Sequence, residues 1–187
     1  NEYIDFFRKF IDKIIYISVD MPYKYPDINI GNVNEGEQWK NEYFQRNSIK
    51  KGIDNIPLDD NDIIMISDVD EIPDPIVISP LKNNIFYYDI IGLDQDFYYY
   101  NLNSKLKYTW MGTKILKYKK YKEFNDIQEI RNNHNIVKVN RSGWHLSYFG
   151  DEEIIKDKIL SFSHNEYNTE IFTNTKYIKH KINMSTD

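Results

Sequence analysis

The sequence predicts an α/β domain in which helices flank a mixed, mostly parallel central sheet. Three observations carry this expectation. Apolar residues recur at helical spacing near both ends of the chain. Short runs rich in Ile, Val, Tyr and Phe crowd the middle, where strands are expected. One run, Asp62-Ile63-Ile64-Met65-Ile66-Ser67-Asp68-Val69-Asp70-Glu71-Ile72-Pro73, is an apolar stretch bracketed by acids. Strand and helix alternate before it and strands cluster after it, the pattern of one domain with a mixed sheet.

The elements follow in order. Tyr3, Phe6, Phe7, Phe10, Ile11 and Ile14 are spaced for a helix over 2–13, and 14–19 reads as a short strand. Pro22 and Pro26 open an irregular loop to about residue 34. A helix is expected over 36–51, ended by Gly52. The acid-bearing run then reads as a buried central strand of a parallel sheet, stopped by Pro73. Pro73, Pro75 and Pro80 punctuate a connection. Strands are expected over 85–93, 97–102, 113–118, 136–139 and 144–149. Helical spacing returns over 151–162, through Ile154, Ile155, Ile159 and Phe162, and again over 169–180. No repeat or linker divides the chain, so residues 1–187 are read as a single domain.

Composition narrows the function classes. A chain of 187 residues can build a real core. The net charge of −5 does not favour a nucleic-acid surface. The one basic run, Lys117 to Lys122, reads as a solvated edge. With no cysteine, disulfides and thiolate metal sites are excluded. That fits a reducing, cytoplasmic setting. No apolar stretch approaches the ~20 residues of a membrane span. Opening on Asn1 rather than Met, the chain is expected to be trimmed at its N-terminus.

The candidate site begins with Asp68, Asp70 and Glu71. Carboxylates this close repel unless a cation joins them, and oxygen ligands suit Mg²⁺ or Mn²⁺. Such an ion grips phosphate, so the segment points to a metal–diphosphate site at a strand's carboxyl end. Asp70 is expected to hold the ion, Asp68 the ion or a ribose hydroxyl, and Glu71 either role. Trp39, Glu42, Tyr43 and Arg46 share one helix face, and the Arg46 fork suits a diphosphate or a carboxylate. In Gly143-Trp144-His145-Leu146-Ser147, strand alternation puts Trp144 and His145 on opposite faces. His145 is a candidate metal ligand or diphosphate donor, and His164 a second candidate or a helix cap. For a general base, Glu71, Asp151, Glu152 and Glu42 are all open.

Asp68-Val69-Asp70-Glu71-Ile72-Pro73, then Trp110, then Gly143-Trp144-His145-Leu146-Ser147, resemble glycosyltransferase family 17 in order and spacing. That family is typified by a β-1,4-mannosyl-glycoprotein β-1,4-N-acetylglucosaminyltransferase. Trp39, Glu42 and Arg46 resemble its helix before the acid strand, and Ser163-His164 a histidine of many members. The resemblance implies a GT-A type nucleotide-sugar fold lacking its first strand here. It implies inverting transfer from UDP-N-acetylglucosamine to a glycan or glycoprotein, with the two Asp residues as the metal-binding pair. On this reading Asp68, Arg46, Trp39, Glu42, Trp144 and His145 bind the donor, and Asp68, Asp70, His145 and His164 hold Mn²⁺ or Mg²⁺. Animal relatives lie in the secretory lumen, against the cytoplasmic expectation. Two alternatives stay open: a haloacid-dehalogenase-like phosphatase, which also carries two Asp after a buried strand, and a non-catalytic carbohydrate-binding domain.

Overall fold

The computed structural model describes residues 2–24, 36–83, 87–161, 163 and 167–184. Of the loop expected from Pro22 to about residue 34, residues 25–34 lie outside the described residues. The fold is α/β, with a mixed sheet flanked by helices. Among the described residues six strands make the sheet: β1 (Ile63–Ile66), β2 (Glu71–Pro73), β3 (Ile90–Tyr99), β4 (Lys105–Trp110), β5 (Lys114–Lys117) and β6 (Val137–Ser147). Their order is β1-β5-β3-β6-β2, and β4 adds to β3.

The sheet is mostly antiparallel, which corrects the expectation of a mostly parallel one. Among the described residues only β3 and β6 run parallel. The short connections explain this. Residues 100–104 join β3 to β4, and 111–113 join β4 to β5. Neither can hold the crossover that parallel neighbours need. As a result β4 and β5 lie end to end along one edge of β3, β5 against Ile90–Gly92 and β4 against Gln95–Tyr98.

The acid-bearing strand β1 is not central. It pairs antiparallel with β5 and, among the described residues, with nothing else. Its apolar run suggested burial on both faces, but burial alternates: Ile64 and Ile66 face the core while Met65 is exposed. Pro73 does not simply stop that strand, because Glu71–Pro73 forms β2 against β6. Other differences are of continuity. The strands expected over 85–93 and 97–102 are one strand, β3, and those over 136–139 and 144–149 are one strand, β6. A bulge in β6 accounts for the apparent gap: Asp94 faces Asn140 and Asp96 faces Trp144, so β6 carries extra residues there. Arg141 and Gly143 take φ of 51° and 140° in the bulge. Strand β4 has no counterpart among the expected elements. The strand expected over 14–19 has no ladder partner among the described residues.

The helices are short. α1 (Glu2–Phe7) tightens into a 3₁₀ turn over Arg8–Lys13. The helix expected over 36–51 is two, α2 (Glu37–Asn47) and α3 (Ile49–Ile53), parted at Ser48. Gly52 lies inside α3 rather than capping it, and its bare Cα faces Ile15 and Ile17. α4 (Pro75–Ile78) starts at an Asp74 cap with proline at its first position. α5 (Tyr118–Tyr121) and α6 (Ile127–Arg131) follow β5. α7 (Glu152–Ser161), α8 (Glu170–Thr173) and α9 (Thr175–Met184) are the last helices among the described residues.

Three apolar clusters hold these parts together. Ile64, Ile66 and Leu116 pack with Tyr121, Ile127 and Ile130 of α5 and α6. Ile91, Leu93 and Ile115 pack under Val77, Ile78 and Leu81. Ile155 and Ile159 of α7 meet Ile178 of α9, with Tyr100 and Tyr148 at the rim. The first and third clusters matter for the site, because they fix α6 and α7 against the sheet. The Lys117–Lys122 run is a paired surface edge, with Lys117 and Lys119 on Asp89, Lys120 on Glu123 and Lys122 on Asp60.

Candidate active site

Asp68 and Asp70 stand in the turn between β1 and β2, and Glu71 opens β2. Three elements send basic side chains to these acids. On α6, Ile127 and Ile130 face the core, and Arg131, one turn beyond Ile127, is drawn inward with them. The helix is anchored by Asp126, whose carboxylate accepts from the Glu129 amide at 2.8 Å. On α2, Arg46 pairs with Glu42 one turn back at 3.0 Å and extends to Asp68 at 3.2 Å and to the Gln128 amide oxygen at 2.6 Å. On α7, burial of Ile155 and Ile159 turns Lys158 toward the sheet, where its Nζ lies 2.9 Å from Asp70 Oδ2.

Glu71 is the most buried of the acids. Its Oε1 accepts from Trp110 Nε1 at 2.6 Å and from Arg131 at 2.9 Å. Its Oε2 accepts from Arg131 at 2.6 Å, the Thr113 hydroxyl at 2.9 Å and the Asp68 amide at 3.1 Å. Every lone pair in the carboxylate plane is taken. Burial alone would raise its pKa, but the Arg131 hydrogen bonds and charge outweigh this and hold it below the ordinary value. Gly112 lies against it so closely that a Cβ there would run into the carboxylate and the Trp110 indole nitrogen. The carboxylate thus ties the acid turn to β4, β5 and α6.

Asp68 also meets Arg131, at 2.7 Å, so its Oδ2 is shared by two guanidinium groups. Asp70 is more open. Burial pushes its pKa up, but the nearby His145 ring and the hydrogen bond and charge of Lys158 carry it well below the usual carboxylate range. Asp70 Oδ1 and His145 Nε2 stand 3.6 Å apart, longer than a hydrogen bond. The other ring nitrogen, Nδ1, is buried without a hydrogen-bond partner among the described residues.

His145 belongs to an aromatic cluster. Its ring stacks on Phe97 at 4.4 Å and lies 4.9 Å from Trp110. Phe97 also meets Tyr99, Tyr108 and Trp110 at 5.1, 5.6 and 5.7 Å. Burial and the neighbouring Tyr108, Tyr148, Tyr100 and Tyr167 push the Tyr99 hydroxyl up to about 12.

The structure brings together Arg46, Glu42, Asp68, Asp70, Glu71 and His145. Trp39 is buried at the start of α2 and packs beside Tyr43. Trp144 pairs with Ile72 and lies on the face of β6 opposite His145, which pairs with Glu71. Asp151 caps α7, accepting from the amides of Glu153 and Ile154, and Glu152 pairs with Lys179 at 2.8 Å. These two sit about two turns, roughly 10 Å of helix, from Lys158. His164 lies outside the described residues. Sequence reasoning missed Arg131, Lys158 and Thr113. Arg131 carried a signal: it is a scarce arginine that directly follows Ile130 and lies one helical turn after Ile127.

The sequence profile of glycosyltransferase family 17 matches residues 4–187, nearly the whole chain. The chain belongs to glycosyltransferase family 17. Comparisons with curated proteins and with solved structures return no match. Membership supports a sugar-transferring enzyme with a sugar donor and a glycan acceptor, and sets the phosphatase alternative aside. Among the described residues no helix is long and apolar enough to cross a membrane.

Among the described residues, no group of three or more His, Asp or Glu is placed to hold a divalent ion by itself. Asp70 Oδ1 and His145 Nε2 nevertheless face each other without a close bond between them. One carboxylate oxygen and one imidazole nitrogen suit Mn²⁺. An ion of this kind takes few protein ligands when substrate phosphates complete its shell. The residues therefore fit an ion bound together with a diphosphate better than one bound alone.

Proposed function

We propose that this chain transfers a sugar, N-acetylglucosamine in the favoured case, from a UDP-sugar to a hydroxyl of a glycan with inversion, on a GT-A type fold. The observation that carries the reading is the Asp68–Asp70 turn, with its acids held in place by Arg46, Arg131 and Lys158 beside His145. Family membership supplies the reaction class.

Asp70 and His145 would hold Mn²⁺ or Mg²⁺, with Asp68 toward the ion or the donor ribose. The ion's chemistry is neutralisation of charge on the departing diphosphate. The chain's own residues do the rest. Lys158 and Arg46 add positive charge around the same turn, which favours the leaving UDP as its charge grows. The acceptor oxygen forms its bond to the anomeric carbon as the bond from that carbon to the diphosphate oxygen breaks. The hydroxyl proton passes to a carboxylate. Glu71, with its lone pairs committed to Arg131, Trp110, Thr113 and a backbone amide, is better suited to positioning the turn than to taking that proton.

The test is UDP release from UDP-N-acetylglucosamine with Mn²⁺ and a panel of glycans. Acceptor-dependent release with the β-anomer as product supports the reading. Binding of glycans with no turnover of any UDP-sugar favours the non-catalytic alternative.

A further inference from the structure

Beyond the Trp110 indole N–H, which binds Glu71, the aromatic residues beside His145 present ring faces to solvent. Tyr108 and Trp110 are two apart on β4, so their side chains share a face. Both touch Phe97, yet they remain 57% and 38% exposed. Large aromatics held in fixed ring contacts and still open to solvent suit a surface that is apolar and hydrogen-bonding at once.

We propose that Tyr108 and Trp110 form a stacking shelf for a neutral pyranose ring of the acceptor glycan, which the shelf presents to the Asp70 turn. The proposal rests on the transferase reading above. Three observations argue for that occupant. First, the shelf is pre-organised: Trp110 is tethered by its indole N–H to Glu71 and Tyr108 lies edge-on against Phe97, at 5.6 Å and 78°. A ring landing there orders little side chain, which lowers the cost of binding. Second, the shelf is close to the acid site. The His145 ring touches Trp110 on one side and approaches Asp70 to 3.6 Å on the other. Alternate strand positions are about 7 Å apart, a span comparable to one sugar ring. Third, the ring partners of Tyr108 and Trp110 are aromatic: Phe97, with His145 beyond it. The lysines of β4, Lys105 and Lys107, alternate with Tyr108 and Trp110 and so lie on the opposite face, where Lys105 pairs with Asp96 at 2.7 Å and Asp94 accepts from Thr109. A neutral ring with apolar C–H faces matches this surface, and an anionic diphosphate does not.

The chain has three tryptophans, Trp39, Trp110 and Trp144. Labelling with 5-fluorotryptophan gives each its own ¹⁹F resonance, assigned with Trp→Phe variants. The probes are β-methyl mannoside and β-methyl N-acetylglucosaminide, titrated without nucleotide. The expected result is a saturable shift of the Trp110 resonance while Trp144, on the opposite face of β6, stays still. Tyr108→Ala should weaken this binding at least fivefold, and Tyr108→Phe should keep it within twofold. No shift of Trp110 with either probe, or equal affinity in Tyr108→Ala, overturns the shelf. A Trp110 shift produced by UDP-N-acetylglucosamine alone overturns it too, by giving the surface to the donor. Calorimetry with UDP-N-acetylglucosamine and Mn²⁺ is run beside it. If the donor binds and the pyranosides do not, the shelf fails and the transferase reading stands. If the donor does not bind, the transferase reading fails, and with it the presentation of a sugar to Asp70.

Discussion

Arg131 grips both oxygens of Glu71, at 2.6 and 2.9 Å, with the two side chains only 6% and 1% exposed. The pair joins α6 to β2, and through Trp110 and Thr113 it joins both to β4 and the connection that leads into β5. Asp68, the first acid of the turn, is bound by the same guanidinium. Arg131 therefore holds two of the three acids of the turn, beside Arg46 on Asp68 and Lys158 on Asp70.

Arg131→Met leaves the Glu71 carboxylate buried without its counter-charge. The expected loss is about 3–5 kcal/mol of unfolding free energy, read from urea denaturation. The pH dependence follows from the lowered pKa of Glu71, where the Arg131 pairing overcomes the cost of burial. A depressed carboxylate stabilises the fold above its unfolded value, near 4.5, and that contribution fades as pH falls toward the folded value. Wild-type stability should fall below pH 4.5 more steeply than that of Glu71→Gln.

Asp70→Asn keeps the shape of the side chain and removes its charge. Metal-dependent turnover is expected to disappear, by at least a hundredfold in kcat/KM, with the thermal midpoint within a few degrees of wild type. Turnover equal to wild type would remove Asp70 from the site.

Lys114 tests the interior beside the site. Its side chain is fully buried, and its Nζ donates to the carbonyl oxygens of Met111 and Gly112 at 2.6 and 3.4 Å. Burial, then the nearby Arg131 charge, lowers its pKa to about 8, with Glu71 opposing. The unfolded chain, with a value near 10.5, holds more protons between these limits. Stability attributable to Lys114 should rise as pH climbs from about 8 to 10.5. The rise is on the order of 3 kcal/mol at most, at about 1.4 kcal/mol per pH unit. Comparison of wild type with Lys114→Met across that range isolates it, because other groups titrate in both.

Gly143 follows the β6 bulge at φ of 140°, and a Cβ there would collide with the Ile72 carbonyl oxygen. Gly143→Ala should part β2 from β6 and cost at least about 2 kcal/mol, combining the strained φ with lost packing. Faster amide exchange in β2 and at the Leu146 amide, which donates to the Asp70 carbonyl oxygen at 2.8 Å, would locate the damage.

Much of the site was readable in the sequence because its signals were local. Asp68, Asp70 and Glu71 are adjacent, Glu42 and Arg46 are one helical turn apart, and strand alternation separates His145 from Trp144. The partners of these acids were not readable. Arg131 lies 60 residues from Glu71 and Lys158 lies 88 from Asp70, so only the packing of α6 and α7 shows that they meet. The fold class was legible from periodicity, but strand direction was not. Antiparallel pairing followed from short connections such as 111–113, hidden because β4, Lys105-Leu106-Lys107-Tyr108-Thr109-Trp110, is not among the expected strands. The continuous apolar run of β1 concealed an exposed Met65, which is why an edge strand read as a central one.

The most direct test of the central claim is calorimetry of UDP-N-acetylglucosamine binding to wild type and Asp70→Asn, each with and without Mn²⁺. The predicted result is binding by wild type only with the ion, and none by Asp70→Asn in either condition. Binding that is equally tight without Mn²⁺, or unchanged in Asp70→Asn, would contradict it.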